Sequence, residues 1–267
     1  MKFIRYILSL LFFAVSGVPS CAPMTAAERN EADRAALSKE VADEILIGRT
    51  MAAKLLGHFG SYSNEAAVRY VELVGRLIAA RVGRPELTYR FAVLDCPQVN
   101  AYATPGGYVF VTRGLLKALR GEAELAGILS HEVAHINERH MYRELRPQKE
   151  VSAGESIVRM LSRGGSTLGG SISKLVEAGM KTLLEKGLSA EKEKEADEIG
   201  LMYAAHAGYS PAGLVDFLRR QKPTPKDRPG RVAGLLTHLK AQGLREPAGV
   251  SKTILSERFQ RSLATVK

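Results

Sequence analysis

The sequence is poor in cysteine, with Cys21 and Cys96 as the only two among 267 residues. Exported domains that rely on disulfides carry their cysteines in pairs and at a higher density. If Cys21 is modified, as its neighbours indicate below, Cys96 has no partner and no intramolecular disulfide is expected. A chain of this length with 45% hydrophobic residues can instead bury a core of its own.

Long apolar runs are lacking apart from one near the N-terminus. That run covers residues 6–18, follows Lys2 and Arg5, and is too short to span a bilayer comfortably. A basic start and a short apolar stretch are typical of a signal peptide. We predict one over residues 1–20, and we expect no series of membrane spans after it.

The residues that follow, Val18-Pro19-Ser20-Cys21, resemble the bacterial lipobox, in which the cysteine becomes an acylated N-terminus. The proline departs from the usual pattern, so simple secretion and an uncleaved anchor stay open as alternatives. The residue after the cysteine is Ala22 rather than aspartate, and this resembles the outer-membrane sorting signal of Gram-negative lipoproteins. We predict an exported, periplasm-facing outer-membrane lipoprotein, associated with the membrane through a lipidated Cys21.

Acidic residues are outnumbered, which gives a formal net charge of +10. The basic residues are scattered and form no stripe interleaved with aromatics, so no nucleic-acid partner is predicted. The positive charge is compatible with an anionic membrane surface instead. Internal repeats with a period of about 20 to 50 residues are absent too, and this excludes an appended solenoid.

Beyond the signal peptide we predict an N-terminal helical segment over 21–60, a core over 61–222, and a C-terminal linker and helical tail over 223–267. In the core, Leu87–Leu94 and Tyr108–Thr112 have the β-branched and aromatic character of strands. Helical periodicity dominates elsewhere. The predicted fold class is therefore α+β and predominantly helical.

The strongest apolar periodicity belongs to a helix predicted over Glu122 to about Arg143. Residues 163–171 are too rich in glycine to continue a helix, and we interpret them as a mobile loop that could act as a lid.

The informative part of the helix predicted over Glu122 to about Arg143 is the motif His131-Glu132-Val133-Ala134-His135. Residues four apart on an α-helix project from the same face, so both imidazoles can reach one ion. Glu132 is displaced around the helix, where it can meet a metal-bound water rather than the metal. We predict one Zn²⁺ per chain, with Glu132 as the catalytic base.

Chance is the competing explanation, because an H-E-x-x-H string appears in a chain of this length at a rate on the order of one per cent. The two histidines could also lie on an ordinary solvated face. They stand among apolar residues of a helix that is predicted to be buried, where unpaired polar groups are costly. This favours ligands.

A catalytic zinc site needs a third protein ligand and an open position. Glu193-Lys194-Glu195-Ala196-Asp197 supplies the candidate Glu193, and Asp197 four residues later can accept the free ring N–H of a ligating histidine. In isolation, this charged segment is more typical of a solvated helix face. Together with the histidine motif and the family resemblance described next, it predicts the metal set His131, His135 and Glu193.

These residues resemble the H-E-x-x-H gluzincin metallopeptidase family that includes the CAAX prenyl proteases, HtpX, BepA and LoiP. In that family the helix is followed some sixty residues on by S-R-x-x-E-x-E-A-D, which residues 189–197 match except for Ala190 in place of arginine. Without multiple spans or a repeat domain, the chain is most similar to a small LoiP-like periplasmic lipoprotein protease.

The resemblance extends to Asn100-Ala101-Tyr102-Ala103-Thr104-Pro105-Gly106-Gly107. It implies a zincin-like fold, in which the active-site helix packs on a small antiparallel sheet with an exposed edge strand. Such an edge can bind an extended substrate as an added strand, mostly through backbone hydrogen bonds. The implied substrate-binding residues are Asn100, Ala101, Tyr102, Ala103, Gly106 and Gly107, although an ordinary hairpin connection would also explain the glycines.

Family members also carry T-H-P near the end, with an arginine nearby, and this sequence has Thr237-His238-Leu239 and Arg245. By resemblance, His238 is a candidate catalytic residue that donates to the developing oxyanion or plugs the zinc reversibly. The alternative is a surface histidine. His140 lies five residues past His135, off the metal-facing stripe, and is expected to be solvated.

The implied activity is that of a zinc metalloendopeptidase of the bacterial cell envelope, with misfolded or unassembled envelope proteins as substrates. Two alternatives remain. One is an envelope chaperone or holdase with a latent zinc site, and the other is a basic surface-binding protein with an accidental motif, which would bind no zinc.

Overall fold

The computed structural model describes residues 26–145, 168–221, 230–245 and 252–266. The predicted signal peptide, Cys21 and the proline-rich linker that begins at residue 223 lie outside these ranges. Most of the predicted glycine-rich loop also lies outside them, and its last residues, 168–171, are helical.

The described residues form ten α-helices, a short π-helical segment and three strands. In chain order they are α1 (Ala26–Phe59), α2 (Glu65–Val82), β1 (Arg90–Leu94), β2 (Ala101–Thr104), β3 (Tyr108–Thr112), α3 (Arg113–Ala118), α4 (Glu122–Asn137), α5 (His140–Leu145), α6 (Leu168–Lys181), the π-helix (Thr182–Lys186), α7 (Ala190–His206), α8 (Gly213–Arg220), α9 (Arg231–Ala241) and α10 (Lys252–Leu263). The predominantly helical α+β fold is thus confirmed. None of the helices in the described ranges is both long and apolar enough to cross a membrane.

The sheet has the order β1-β3-β2 and is mixed, so the prediction of an antiparallel sheet is wrong for β1. β2 and β3 form an antiparallel hairpin, whereas β1 runs parallel to β3. Leu94 at the end of β1 pairs with Thr112, and Ala101 at the start of β2 pairs with Val111. The connection after β1 therefore crosses the C-terminal end of β3, and the chain reverses direction before β2. β2 therefore becomes the edge next to α4.

α4 is the central helix. All of its residues except Ala123 and Asn137 are buried, and it packs against α2, α7, α8 and the sheet. Its apolar residues Leu125, Leu129 and Val133 have no exposed surface. The single helix predicted to run to about Arg143 is two helices, because Arg139 adopts the left-handed conformation with φ 55°. This break turns α5 back towards α4.

α1 is clamped to the turn between β2 and β3. The fully enclosed Glu44 carboxylate binds the Arg84 guanidinium at 2.8 and 3.1 Å, and Gly106 N–H donates to it at 3.4 Å. A Cβ on Gly48 would lie 1.6 Å from the Pro105 carbonyl oxygen, so glycine is required for this approach. The N-terminal helix consequently fixes one end of the edge strand.

The segment predicted as a tail packs on the core. Arg258 of α10 donates to the enclosed Glu122 carboxylate of α4 at 2.7 Å, and Tyr70 and Tyr209 donate to the same group at 2.8 Å each. Phe259 is 5% exposed in the main core. The N-terminal turn of α4 is thereby tied to α2 and α10.

Candidate metal centre

His131 and His135 present their Nε2 atoms to each other, 3.0 Å apart, on one face of α4. Both rings are buried, with 7% of each residue exposed. If each neutral ring carries its proton on Nδ1, both facing Nε2 atoms are acceptors, and neither can donate a hydrogen bond to the other. The pair therefore has the arrangement of two ligands of one cation.

Glu193 reaches the same point from the first turn of α7, where Ser189 caps the helix. Its carboxylate oxygens lie 3.6 Å from His131 Nε2 and 3.8 Å from His135 Nε2. The two helices approach closely at Gly200, where a Cβ would lie 2.9 Å from the His131 Cα. Within the described ranges these three residues form the one group whose ligand atoms converge, all within 4.8 Å of one another.

The donor set and its spacing fit zinc. Zinc–nitrogen and zinc–oxygen bonds of about 2.0 to 2.2 Å in a tetrahedron put ligand atoms roughly 3.3 Å apart. The observed separations of 3.0, 3.6 and 3.8 Å lie on both sides of that value. Two imidazoles and a carboxylate leave the fourth tetrahedral position to solvent, as in catalytic zinc sites.

Asp197 backs His131 from one turn further along α7. Its Oδ1 lies 3.0 Å from His131 Nδ1, and its side chain has no exposed surface. Burial alone would raise the pKa of Asp197, but His131 and the paired Arg231 outweigh it and hold that pKa well below its usual range. A charged carboxylate at Nδ1 keeps the proton there and leaves Nε2 free for a metal.

Arg231 is the functional residue that sequence reasoning missed. From the start of α9 its guanidinium donates to both Asp197 oxygens, at 2.8 and 2.6 Å, and it lines the cleft beside the histidines. The family resemblance predicts an arginine near His238, where Arg245 is the displaced candidate. No local sequence pattern separates Arg231 from the other arginines.

We expect Arg231→Met to lower the free energy of unfolding of the metal-free protein by about 3 kcal/mol, because it leaves a buried carboxylate with one partner fewer. Urea denaturation measures this. The control is Arg219→Met, since the Arg219 side chain is 50% exposed and pairs only loosely with Asp216. A loss below about 1 kcal/mol, within the usual range for an exposed pair, would show that Asp197 does not depend on Arg231.

His140 is buried, with 1% exposed, so its predicted solvation is wrong. The reversal at Arg139 turns the ring under α4, and its Nδ1 lies 2.9 Å from His135 Nδ1. Its Nε2 lies 3.0 Å from Glu195 Oε2 of α7. Burial lowers the pKa of His140, and burial with the charges of His131 and His140 lowers that of His135 well below the usual value.

Glu132 is buried beside the two histidines, with 8% exposed, and lines the cleft. Burial raises its pKa to about 7, since the attraction of His131 and Arg231 does not offset the loss of hydration and the charge of Glu193. A carboxyl group in this position can exchange a proton with a molecule held in the cleft.

The cleft over these residues has a volume of about 730 Å³. β2 contributes to its lining, and so do the π-helix, Gly187 and Leu188. Ile128, Leu214 and Phe217 make one part of the lining apolar, whereas Arg139 and Lys186 add positive charge elsewhere. The space suits an extended peptide with apolar side chains.

The edge strand is less exposed than predicted. Asn100, Ala101, Tyr102 and Ala103 line the cleft, but Tyr102 and Ala103 are only 6% and 7% exposed. Among the described residues β2 pairs with β3 alone, so its second edge faces the cleft.

Gly106 and Gly107 lie in the turn after β2, with φ values of 76° and 100°. A Cβ on either would come within 2.7 Å of the backbone of α1 or Thr88. The structure therefore gives both glycines a packing position, outside the cleft lining.

His238 lies on α9, with Nδ1 3.8 Å from Glu198 Oε1 and with Nε2 buried. The cleft lining includes Arg231 of the same helix but not His238. Its catalytic role stays a prediction.

Residues 65–259 match the family model described as Peptidase family M48. The chain is 23% identical over 209 residues to the beta-barrel assembly-enhancing protease of Escherichia coli (strain K12), which covers 74% of this chain and 41% of that protein. It is 35% identical over 146 residues to the mitochondrial metalloendopeptidase OMA1 of Schizosaccharomyces pombe, covering 53% of this chain and 40% of that protein.

A putative beta-barrel assembly-enhancing protease of Vibrio cholerae is 26% identical over 164 residues, which cover 57% of this chain and 32% of that protein. The chain thus spans well under half the length of these curated relatives. All three of these relatives are proteases by name.

Proposed function

The chain belongs to the metallopeptidase family M48, and on that premise we propose that it is a zinc-dependent endopeptidase of the bacterial cell envelope. The observation that carries the proposal is the convergence of His131, His135 and Glu193 from two helices, with their ligand atoms within 4.8 Å of one another. Its substrates would be misfolded or unassembled envelope proteins.

The three residues would hold a Zn²⁺ ion, which when bound polarises a carbonyl group and lowers the pKa of water towards about 7. Glu132 accepts the proton of the attacking water and passes it to the leaving amine. Asp197 and Arg231 keep His131 in the tautomer that leaves Nε2 free.

The free edge of β2 along the cleft is an argument for an unfolded substrate. An extended peptide can pair with the free edge of β2 and be held by its backbone, so little side-chain selection is needed. Folded proteins offer few extended segments with free backbone hydrogen-bonding groups, whereas an unassembled β-sheet protein offers many. The names of the bacterial relatives, which refer to β-barrel assembly, agree with this substrate class.

Export and anchoring are part of the proposal. They rest on the signal-peptide pattern of residues 1–20 and on Cys21 as a lipidated residue, which would hold the protease at the outer membrane on its periplasmic side. The core over 61–222 would then carry the catalysis, together with α9 from the C-terminal segment.

Elemental analysis of the purified protein tests the proposal. We expect about one zinc per wild-type chain and loss of most of it in His135→Ala, because one of three ligands is gone. Digestion of casein and of a urea-unfolded porin, measured on the same samples, should follow the zinc content. A wild-type chain that binds no zinc, or that digests equally well without it, would contradict the assignment.

A holdase is the second candidate, favoured by the word "assembly" in the names of the relatives. It predicts that the wild type delays aggregation of the unfolded porin without cleaving it. A zinc-loaded chain that protects the porin over hours with no new fragments would support this function over proteolysis.

A further inference from the structure

We propose that His140 and Glu195 form a relay that positions the ligand His135, an inference that rests on the proposed zinc site. His140 is a positioning residue, since it acts through His135 and is not itself one of the three candidate metal ligands. The relay is a counterpart, on the second ligand, of the Asp197 contact that backs His131.

The two contacts of His140 define the relay. His140 Nδ1 lies 2.9 Å from His135 Nδ1, and His140 Nε2 lies 3.0 Å from Glu195 Oε2. Both distances are those of hydrogen bonds. The ring is 1% exposed, so water does not compete for its nitrogens.

Ligand chemistry fixes where each proton lies. A histidine that binds a metal through Nε2 carries its proton on Nδ1. His135 Nδ1 therefore donates to His140 Nδ1, and His140 must then carry its own proton on Nε2. That N–H donates to the Glu195 carboxylate, so every nitrogen of the relay has a partner of the right kind.

The origin of these groups supports a common role. Three acidic residues of α7 face different parts of the histidine cluster. Glu193 faces the candidate metal position, Glu195 faces His140, and Asp197 faces the Nδ1 side of His131. The Glu195 side chain is 48% exposed and screened by water, so we assign it a smaller share than His140.

The alternative is that His140 only fills space under α4. A filling role predicts that variants change the stability of the metal-free chain but leave the zinc affinity of the folded chain unchanged. A positioning role predicts a change in zinc affinity and in the ligand field of bound cobalt. It also predicts recovery when the acceptor for His135 is restored.

The experiment compares zinc affinity, by competition with a chromophoric chelator, in folded metal-free wild type, His140→Phe, His140→Asn and Glu195→Leu. We expect His140→Phe to weaken zinc binding by about 10- to 100-fold, the usual effect of losing a partner of a ligating histidine. His140→Asn, whose amide oxygen can replace Nδ1 as acceptor, should stay within about 5-fold of wild type, and Glu195→Leu should lose about 3- to 10-fold.

His206→Phe is the matched control, because His206 is exposed in the last turn of α7, away from the cluster. Visible spectra of the Co²⁺-loaded chains provide a second readout that does not depend on activity. Glu195→Leu changes a half-exposed position, so it remains informative if His140→Phe does not fold. Zinc affinities and cobalt spectra within twofold of wild type in His140→Phe and Glu195→Leu would overturn the relay, whereas a wild type that binds no metal would overturn the zinc site itself.

Discussion

Replacing Glu132 with glutamine is expected to lower the rate of cleavage of unfolded casein by about 10³-fold while the chain keeps its zinc. The amide has nearly the shape of the carboxyl group but cannot accept a proton, and general acid–base catalysis contributes about 10²- to 10⁴-fold. Glu132 is not among the converging ligand atoms, so metal content should not change.

The control for that variant is Glu72→Gln, which makes the same chemical change at a partly exposed position of α2, where Glu72 pairs with Arg76. Its cleavage rate should equal that of the wild type. Cleavage by a clean, zinc-loaded Glu132→Gln preparation within about tenfold of wild type would exclude Glu132 as the base.

Glu193→Ala is expected to weaken zinc binding by at least about 10³-fold and to abolish proteolysis at micromolar zinc. Protein zinc sites bind with about 10 to 16 kcal/mol, so one of three ligands accounts for roughly 4 kcal/mol, and each 1.4 kcal/mol is tenfold. The measurement is a zinc titration against a competing chelator, followed by the casein assay on the same samples.

Glu191→Ala is the matched variant for this position, because Glu191 stands two residues earlier in the same helical turn and is exposed. It should bind zinc like the wild type. If both variants kept full affinity, the carboxylate ligand would have to come from elsewhere, and the assigned arrangement of α4 and α7 would be wrong.

Local sequence patterns predicted the elements that depend on near neighbours. The motif at 131–135 predicted two imidazoles on one helical face, because spacing along a helix is set by its own hydrogen bonds. Asparagine is a favoured residue before the first turn of a helix, and the Asn64 side chain accepts from Ala67 N–H at 3.0 Å at the start of α2. The family resemblance is confirmed by the match over residues 65–259.

Features that depend on distant parts of the chain escaped prediction. The direction of β1 follows from how the connection after it crosses β3, and no residue pattern within β1 encodes that path. The break at Arg139 is held by Glu40 and Glu44 of α1, each at 3.1 Å, nearly a hundred positions earlier. Without those partners the periodicity predicts a continuous helix.

The same difference separates the parts of the candidate site. The sequence by itself determined the pair of imidazoles, the Glu132 carboxyl group between them and the acidic helix that could approach them, since each depends on spacing within one helix. Only the tertiary structure decided that Glu193 meets both rings, that Arg231 holds Asp197, and that His140 lies beneath His135. These contacts join helices that touch only because the apolar faces of α4 and α7 are buried together, and burial between distant segments is a property of the whole chain.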